Sequence, residues 1–267
     1  MMENISFRGD DGNLLFASIL GKGKPIVILH GGGPDRQSII PFSERLKNEY
    51  QIIFPDIRGY GQSLCYNPSS HNWIQYANDV ISLIDHLGLT HIIICGMGLG
   101  ASIAERVGFS YPDRIQGVIL LSPETLDEDG KGSSEKEIEM MTRCAEEAIK
   151  EGLEQAWEPF MKDLAPVISH MVKDAFQRTD PKSFAAAMNI VNSQRLENSK
   201  QLSGIKAPTL VIPGGDIRHS LELGKVYMEL IPNCTLGEAF DWNNIQSIEQ
   251  LAEKVTPQIT MFARKLR

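Results

Sequence analysis

Long hydrophobic runs are missing from this sequence. The longest apolar stretches, such as Ile26–Leu29 and Val118–Leu121, have the length of a β-strand, whereas a helix that spans a bilayer needs about 20 apolar residues. The first ten residues, M-M-E-N-I-S-F-R-G-D, have neither a basic start nor an apolar core, so we expect no signal peptide. These absences argue against a membrane anchor and predict a cytoplasmic protein.

Cysteine pairs and basic patches are missing as well. The 26 Lys and Arg residues are outnumbered by 34 Asp and Glu, the net charge is −8, and no basic block forms a phosphate-binding patch, so nucleic acid is not the expected partner. We predict no cofactor and no metal, a small molecule as the partner, and a monomer or homodimer. Reduced thiols are expected at the four widely spaced cysteines: Cys65, Cys95, Cys144 and Cys234.

Strand-like and helix-like segments alternate along the first half of the chain. Pro25–His30, His91–Cys95 and Gly117–Leu121 are continuous apolar runs, as in strands that are buried on both faces. Trp73–Leu87 has apolar residues at every third or fourth position, which predicts an amphipathic helix. Repeated β-α-β units of this kind indicate a mostly parallel sheet with helices on both faces.

The pattern changes after the sixth predicted strand. Glu124–Ser134 is polar and contains glycine, residues 135 to about 198 have helical spacing with no strand candidate, and the strand pattern resumes near residue 207. A helical block between two strands predicts a cap over the carboxyl edge of the sheet, where open α/β sheets bind ligands. We therefore divide the chain into a core of residues 1–123 and 199–267 and a cap of residues 124–198.

One turn lacks the residue that would react. His91–Gly100 reads H-I-I-I-C-G-M-G-L-G, a strand and a G-x-G-x-G turn that a small-residue helix follows. The same arrangement forms the nucleophile elbow, whose pattern is G-x-S-x-G. Gly98 stands at the position of the serine and has no side chain with which to attack a substrate. We interpret Cys95 as a buried structural thiol and Ser102 as a packing residue of the helix.

Five motifs in this order resemble those of the α/β-hydrolase superfamily: H-G-G-G-P, D-I-R-G-Y-G-Q-S, G-M-G-L-G, P-T-L-V-I-P-G-G-D and the closing helix. The resemblance covers nearly the whole chain, and the H-G-G-G-P form resembles that of meta-cleavage C–C bond hydrolases. It implies an α/β-hydrolase fold, with a mostly parallel eight-stranded sheet flanked by helices and a helical cap inserted after the sixth strand.

The resemblance also implies an oxyanion hole made of backbone donors. In the family one N–H comes from the loop after the third strand and one from the residue after the nucleophile. Here these would be the N–H groups of Gly32, or of a neighbouring glycine, and of Leu99. Backbone donors need no particular side chain, so the hole can persist without a serine. The pocket around it is predicted to include His30, Gly31, Gly33, Met97, His219 and Trp242.

The catalytic set implied by the family is altered at two positions. Asp216 corresponds to the family's acid, with Glu124 as a fallback. Counting back from the last helix places Asp241 at the position of the family's histidine, and no histidine follows His219. The expected Ser–Asp–His set therefore reads Gly98, Asp216 and Asp241, without a nucleophile for an acyl-enzyme or a neutral base.

The substitutes for these groups can be interpreted in more than one way. Asp216 and Asp241 could face each other, and two close carboxylates share a proton, attract a cation or raise one pKa. Alternatively, Asp241 turns to solvent or caps the last helix. His219 could act as a base, although packing or capping of the Leu221–Leu230 helix is its plainer role.

Three functions follow from this reading, and the residues leave open whether the protein is an enzyme. The first is binding of a small, largely apolar molecule under the cap by a non-hydrolytic enzyme, sensor or pseudoenzyme. The second is an atypical hydrolase of ester or C–C bonds that uses an activated water and the retained oxyanion hole. The third is a structural module that binds a partner and whose pocket has filled in.

Overall fold

Eight strands form one sheet in the computed structural model, which describes residues 1–126, 134–216 and 219–266. Most of the polar stretch expected between Glu124 and Ser134 lies outside these ranges. The strand order is β1-β2-β4-β3-β5-β6-β7-β8, where β2 pairs antiparallel with β1 and β4 and the other pairs are parallel. The predicted mostly parallel sheet is thus confirmed. The strands are β1 (Glu3–Arg8), β2 (Leu14–Gly21), β3 (Lys24–Leu29), β4 (Tyr50–Pro55), β5 (Ile92–Met97), β6 (Ile115–Leu121), β7 (Thr209–Ile212) and β8 (Cys234–Leu236).

Helices cover both faces of this sheet because successive side chains of a strand point to opposite faces. In β3, Val27 and Leu29 join the hydrophobic cluster beneath the second, third and eighth helices, while Ile26 and Ile28 join the cluster beneath the first and ninth. The flanking helices are α1 (Ile40–Leu46), α2 (Trp73–His86), α3 (Leu99–Ser110), α8 (Leu221–Leu230) and α9 (Ile248–Ala263).

Among the described residues, four α-helices separate β6 from β7 in the chain. The helical spacing of this region therefore does produce helices, and the first of them begins with a capping box between Ser134 and Glu137, which satisfies two otherwise free N–H groups. They are α4 (Glu135–Lys150), α5 (Leu153–Met161), α6 (Pro166–Ala175) and α7 (Pro181–Ala187). Within the described ranges, no helix has the length and apolar character needed to cross a membrane.

Two helix starts differ from the sequence pattern. The sequence pattern predicts one helix over Ser38–Glu49, where Ile39, Phe42 and Leu46 have helical spacing. The structure instead has a 3-10 turn at Arg36–Ile39 and a separate α1, with a proline in the first turn of α1. Proline lacks an N–H group and suits the start of a helix. The helix expected from Ala101 begins two residues earlier, at Leu99, which places its first N–H groups directly at the G-x-G-x-G turn.

Candidate active site

Three glycines shape the turn between β5 and α3. A Cβ on Gly96 would overlap the backbone carbonyl of Gly100, and a Cβ on Gly100 would lie 2.6 Å from the carbonyl oxygens of Leu29 and His30. These two glycines let the helix pack directly on the sheet. Gly98 has φ 53° and ψ −115°, so the strained elbow conformation persists in a residue for which positive φ is inexpensive. In the direction of its missing side chain, the nearest atom is Oε1 of Glu124, at 3.6 Å from the Cβ position.

The two predicted oxyanion donors lie side by side. A Cβ on Gly32 would be 3.8 Å from the Cβ of Leu99 and 4.0 Å from the hydroxyl of Tyr60. The loop of three glycines after β3, residues 31–33 (the glycine loop), therefore runs along the start of α3. Leu99 is the first residue of that helix, and the free N–H groups at the start of a helix favour negative charge. The arrangement is suited to a carbonyl oxygen that gains negative charge during a reaction.

His30 supports the glycine loop from below. It is fully buried, and its Nε2 accepts a hydrogen bond of 3.0 Å from the N–H of Ile57. Because Nε2 accepts, the proton of the neutral ring lies on Nδ1, which donates to the carbonyl of Gly31 over 2.7 Å. Burial lowers the pKa of His30. His30 is therefore a neutral residue that fixes the loop and is not a proton carrier.

A carboxylate–imidazole–carboxylate series lies near Gly98. His219 Nδ1 is 2.8 Å from Oδ2 of Asp216, which follows β7, and His219 Nε2 is 3.9 Å from Oε2 of Glu124, which follows β6. The three side chains are between 18% and 30% exposed. Asp216 orients the imidazole, and the imidazole faces the carboxylate that reaches towards Gly98. Sequence reasoning considered all three residues separately and did not predict this series.

The two carboxylates control the charge of His219. Burial lowers the pKa of its imidazole, but Glu124 and Asp216 raise that pKa by more, so the net change is upward from the ordinary value of 6.5. Histidine titrates near physiological pH, and a raised pKa keeps a larger fraction of the ring charged at neutral pH. The pair of Glu124 and His219 can therefore hold one proton and exchange it with a bound molecule.

The other candidates at the altered positions have structural contacts. Oδ1 of Asp241 accepts from the N–H of Asn243, and Oδ2 accepts from the side chain of Asn244, so this carboxylate caps a short 3-10 turn. The N-cap of α9 is Ser247 and not Asp241. The N-cap of α8 is Ser220 and not His219. Asp216 bonds to His219 and Asp241 to its own turn, which gives no support to a carboxylate pair.

Met97 and Trp242 belong to the packed interior. Both are about 4% exposed, and Nε1 of Trp242 donates to Oγ of Ser122 over 3.0 Å. Ser122 has φ 46°, an uncommon conformation for a residue other than glycine. This hydrogen bond holds the end of β6 against the loop before α9, and it sets the direction of the chain from Ser122 to Glu124.

The cap helices lie directly on the glycine loop. A Cβ on Gly33 would be 2.9 Å from the ring of Trp157 in α5 and from a methyl group of Val172 in α6. Arg178, just after α6, donates to Asp35 over 2.6 Å and 3.1 Å. Cap and core are thus joined by close packing and by an ion pair with a nearly buried carboxylate.

Several residues behind the site were not predicted from the sequence. Glu105 and Tyr227 are fully buried and 122 residues apart, yet their side chains lie 2.7 Å apart. Arg195, on the segment that returns from the cap, donates to Ser102 in α3. One indication was available: Glu105 is four residues after Ala101 and therefore lies on the same, apolar face of its helix. A carboxylate at such a position needs a buried partner.

One group of three carboxylates among the described residues is not suited to a metal ion. Oxygen atoms of Asp10, Asp11 and Asp79 lie within 4.8 Å of one another. The guanidinium of Arg58, fully buried, already donates to Asp11 over 2.7 Å and to Asp79 over 2.6 Å. This positive charge occupies the place that a cation would need. Arg58 therefore braces the loop after β4.

Comparisons with known proteins agree with the architecture. The model of the α/β hydrolase fold family matches residues 24–142. A 2-hydroxy-6-oxo-6-phenylhexa-2,4-dienoate hydrolase from Comamonas testosteroni is 26% identical over 254 residues, with 87% of each chain covered. An esterase from Thermogutta terrifontis has a TM-score of 0.82 at 23% identity over 98% of both chains. The enol-lactonase from Burkholderia xenovorans has a TM-score of 0.80 at 21% identity, covering 97% of this chain and 100% of its own.

Proposed function

We propose that this chain, a member of the α/β-hydrolase superfamily, binds a small, largely apolar carbonyl compound under its cap and transfers a proton there, without an acyl-enzyme. The observation that carries the proposal is the series Asp216–His219–Glu124, which ends 3.6 Å from the Cβ position of Gly98. A base and an acid thus lie where the superfamily's serine would attack, and the attacking group itself is missing.

The chemistry follows from the position of each group. The carbonyl oxygen of the ligand accepts hydrogen bonds from the N–H groups of Gly32 and Leu99, which stabilise the negative charge of an enolate. Glu124 removes the proton from the carbon next to the carbonyl. His219, held by Asp216, exchanges that proton with the ligand or with water. Gly98 has no side chain, so the ligand's carbon can lie directly above the elbow.

The relatives support a substrate of this chemical class. The Comamonas relative is named for a compound that carries a phenyl ketone, a hydroxydiene and a carboxylate, and one solved neighbour is named an enol-lactonase. Both names describe carbonyl chemistry coupled to an enol. For this chain we infer a small ketone that forms an enol and carries an apolar group, which would lie against Trp157 and its neighbours in the cap.

A second candidate is hydrolysis through an activated water, and the contact between His219 and Asp216 favours it. An imidazole oriented by a carboxylate is the base–acid pair that activates water or a nucleophile in many hydrolases. A water held by Glu124 and His219 would attack the ligand carbonyl directly, and the resulting charge would be stabilised by the same backbone donors. The two candidates share their residues and differ in their products.

One experiment separates them. Benzoylacetone and 2-hydroxy-6-oxo-6-phenylhexa-2,4-dienoate are each incubated with the protein in D₂O, and NMR follows both deuterium uptake beside the carbonyl and the release of cleavage products. Proton transfer predicts enzyme-dependent uptake without cleavage, lost in Glu124→Gln and in His219→Gln. The matched controls are Glu3→Gln and His91→Gln, which change exposed residues of the same types.

The other outcomes are equally clear. Cleavage that is lost in the same two variants would establish the hydrolase instead. If the wild-type protein neither exchanges nor cleaves any of the compounds, the proposal is wrong and the module that binds a partner is favoured. A serine-directed fluorophosphonate is expected to leave the protein's mass unchanged, because position 98 offers no hydroxyl.

A further inference from the structure

Two consecutive main-chain carbonyls beyond β6 are held by buried side chains from distant elements. The hydroxyl of Tyr227, in α8, lies 2.9 Å from the carbonyl oxygen of Glu124. Arg195 donates through Nη2 to the carbonyl oxygen of Thr125 over 2.7 Å and through Nη1 to Oγ of Ser102 over 3.0 Å. The main chain that carries the Glu124 carboxylate is therefore fixed from two sides.

Counting hydrogen atoms reveals the protonation state behind this contact. The hydroxyl of Tyr227 also lies 2.7 Å from Oε1 of Glu105, and a phenol has one hydrogen to donate. The carbonyl of Glu124 can only accept. If Tyr227 donated to an ionised Glu105, the contact with the Glu124 carbonyl would join two acceptors. Both contacts are full two-centre hydrogen bonds only when the carboxyl of Glu105 itself carries a hydrogen.

We infer that Glu105 is a protonated carboxylic acid that positions Glu124: its hydrogen is donated to the phenol oxygen of Tyr227, and the phenol's hydrogen is donated to the carbonyl of Glu124. This inference rests on the proposed function, since the role of the Glu124 carboxylate there is what the chain of hydrogen bonds serves. Glu105 touches no ligand and acts through Tyr227 as a positioning residue.

The surroundings of Glu105 agree with a neutral acid. Its side chain is fully buried in α3, and burial raises the pKa of its carboxyl, an effect that Arg195 opposes and the nearby Glu124 reinforces. Among the described residues, Oε2 of Glu105 has no hydrogen-bond partner. Leaving the carbonyl oxygen of a neutral acid unpaired costs far less than leaving a carboxylate oxygen unpaired.

The same connection joins three elements of the site. Glu105 lies on α3, which begins with the backbone donor Leu99, while Tyr227 lies on α8, and the Glu124 segment leaves β6. Moving any one of these elements breaks a hydrogen bond. The position of the Glu124 main chain relative to the start of α3 is thereby fixed, and this limits where its carboxylate can lie beside a bound ligand.

Two variants and one control test the inference. In Glu105→Gln the amide N–H replaces the carboxyl hydrogen as donor to Tyr227, whereas Tyr227→Phe removes the hydroxyl altogether. Tyr111→Phe, which removes a hydroxyl bonded to Asn78 away from the site, is the matched control. Infrared difference spectra between the wild-type protein and Glu105→Gln are recorded at neutral pH, and NMR measures the pKa of His219 in every variant.

The expected results are specific to a neutral acid. The infrared difference should show the carbonyl stretch of a protonated carboxyl group. The pKa of His219, which faces Asp216 and Glu124, should stay unchanged in Glu105→Gln and Tyr111→Phe. It should fall in Tyr227→Phe, because a released Glu124 no longer stabilises the charged imidazole.

Two results would overturn the inference. One is an infrared difference that shows the bands of an ionised carboxylate, and the other is a pKa of His219 in Tyr227→Phe that equals the wild-type value. If Tyr227→Phe does not fold, the infrared spectra of the wild-type protein and Glu105→Gln decide alone. Neither measurement needs turnover, so an inactive protein would refute the proposed function and leave the protonated Glu105 standing.

Discussion

Alanine at Gly98 should be tolerated far better than alanine at Gly96, two residues earlier. The Cβ position of Gly98 faces open space as far as Oε1 of Glu124 at 3.6 Å, an ordinary contact distance. The Cβ position of Gly96 overlaps the backbone carbonyl of Gly100. Both changes add one methyl group to the same turn, so the two variants differ only in the atoms that surround the added methyl group.

The expected costs follow from these surroundings. At Gly98, holding an L-residue at φ 53° costs about 1–3 kcal/mol, and the lower entropy of the unfolded chain offsets about 0.4–1 kcal/mol of this. A net loss between about 0 and about 2.6 kcal/mol remains. At Gly96 the methyl meets backbone, which cannot move aside by changing rotamer, so α3 must separate from β5. That cost should reach about 3 kcal/mol or more, the upper end for overpacking.

Urea unfolding of the two variants and the wild-type protein measures these costs as changes in the midpoint at constant m. Equal destabilisation by Gly98→Ala and Gly96→Ala would refute the assignment of open space above the elbow. A Gly96→Ala variant as stable as the wild-type protein would refute the close approach of α3 to β5. The folded Gly98→Ala protein also reports on function, because its methyl group fills the position in which the ligand's carbon should lie, and deuterium uptake should be lost.

Three further perturbations test separate parts of the structure. His219→Gln removes a group whose pKa is raised on folding. The free energy of unfolding of the wild-type protein should therefore exceed that of the variant most below the unfolded pKa of 6.5, and this difference should be lost as pH rises through the folded pKa. Urea unfolding from about pH 5 to about pH 8.5 measures the difference, and a constant difference would contradict the argument. Arg58→Met leaves the nearly buried Asp79 without its charged partner and should lower the free energy of unfolding by about 3–5 kcal/mol. Adding Asp79→Asn should restore part of this loss, which a double-mutant cycle measures. Trp157→Ala removes a partly buried ring that contacts Gly33 and Phe184 and should cost about 2 kcal/mol, less than the 3–5 kcal/mol of a fully buried ring; thermal unfolding with no loss would show that the cap does not rest on the loop.

The elements of this fold are predictable from the sequence because burial on a sheet or under a helix leaves a periodic pattern. Continuous apolar runs correspond to β3, β5 and β6, and the glycines of the elbow mark the close approach of a helix to a strand. Helix starts are less predictable, since a proline and a local cap decide them within a residue or two. The split before α1 is an example.

The contacts of the site are not predictable in the same way. Asp216 and His219 are three residues apart, but their contact depends on the path of the loop that follows β7. Glu105 and Tyr227 meet across 122 residues, and no periodicity records such a pair. Aligning the chain with a family's motifs directs attention to Asp241, because the alignment assumes that a function stays at its position in the chain. Side chains instead meet wherever the sheet edge brings them together.

The sheet order explains how a neighbouring strand can supply what Gly98 lacks. β5, β6 and β7 are adjacent and parallel, so their carboxyl ends lie side by side, about 4.8 Å apart per strand. A long side chain that leaves the end of β6 can therefore reach the space above the elbow at the end of β5, and Glu124 does so. Asp216 and His219 reach the same space from the end of β7. A charged group that moves one strand along the edge stays within reach of the same backbone donors, because those donors belong to α3 and the glycine loop and do not depend on residue 98. Under the proposed function, an elbow without a side chain offers no covalent attack, while the backbone donors and the charged groups around it stay available to a bound ligand.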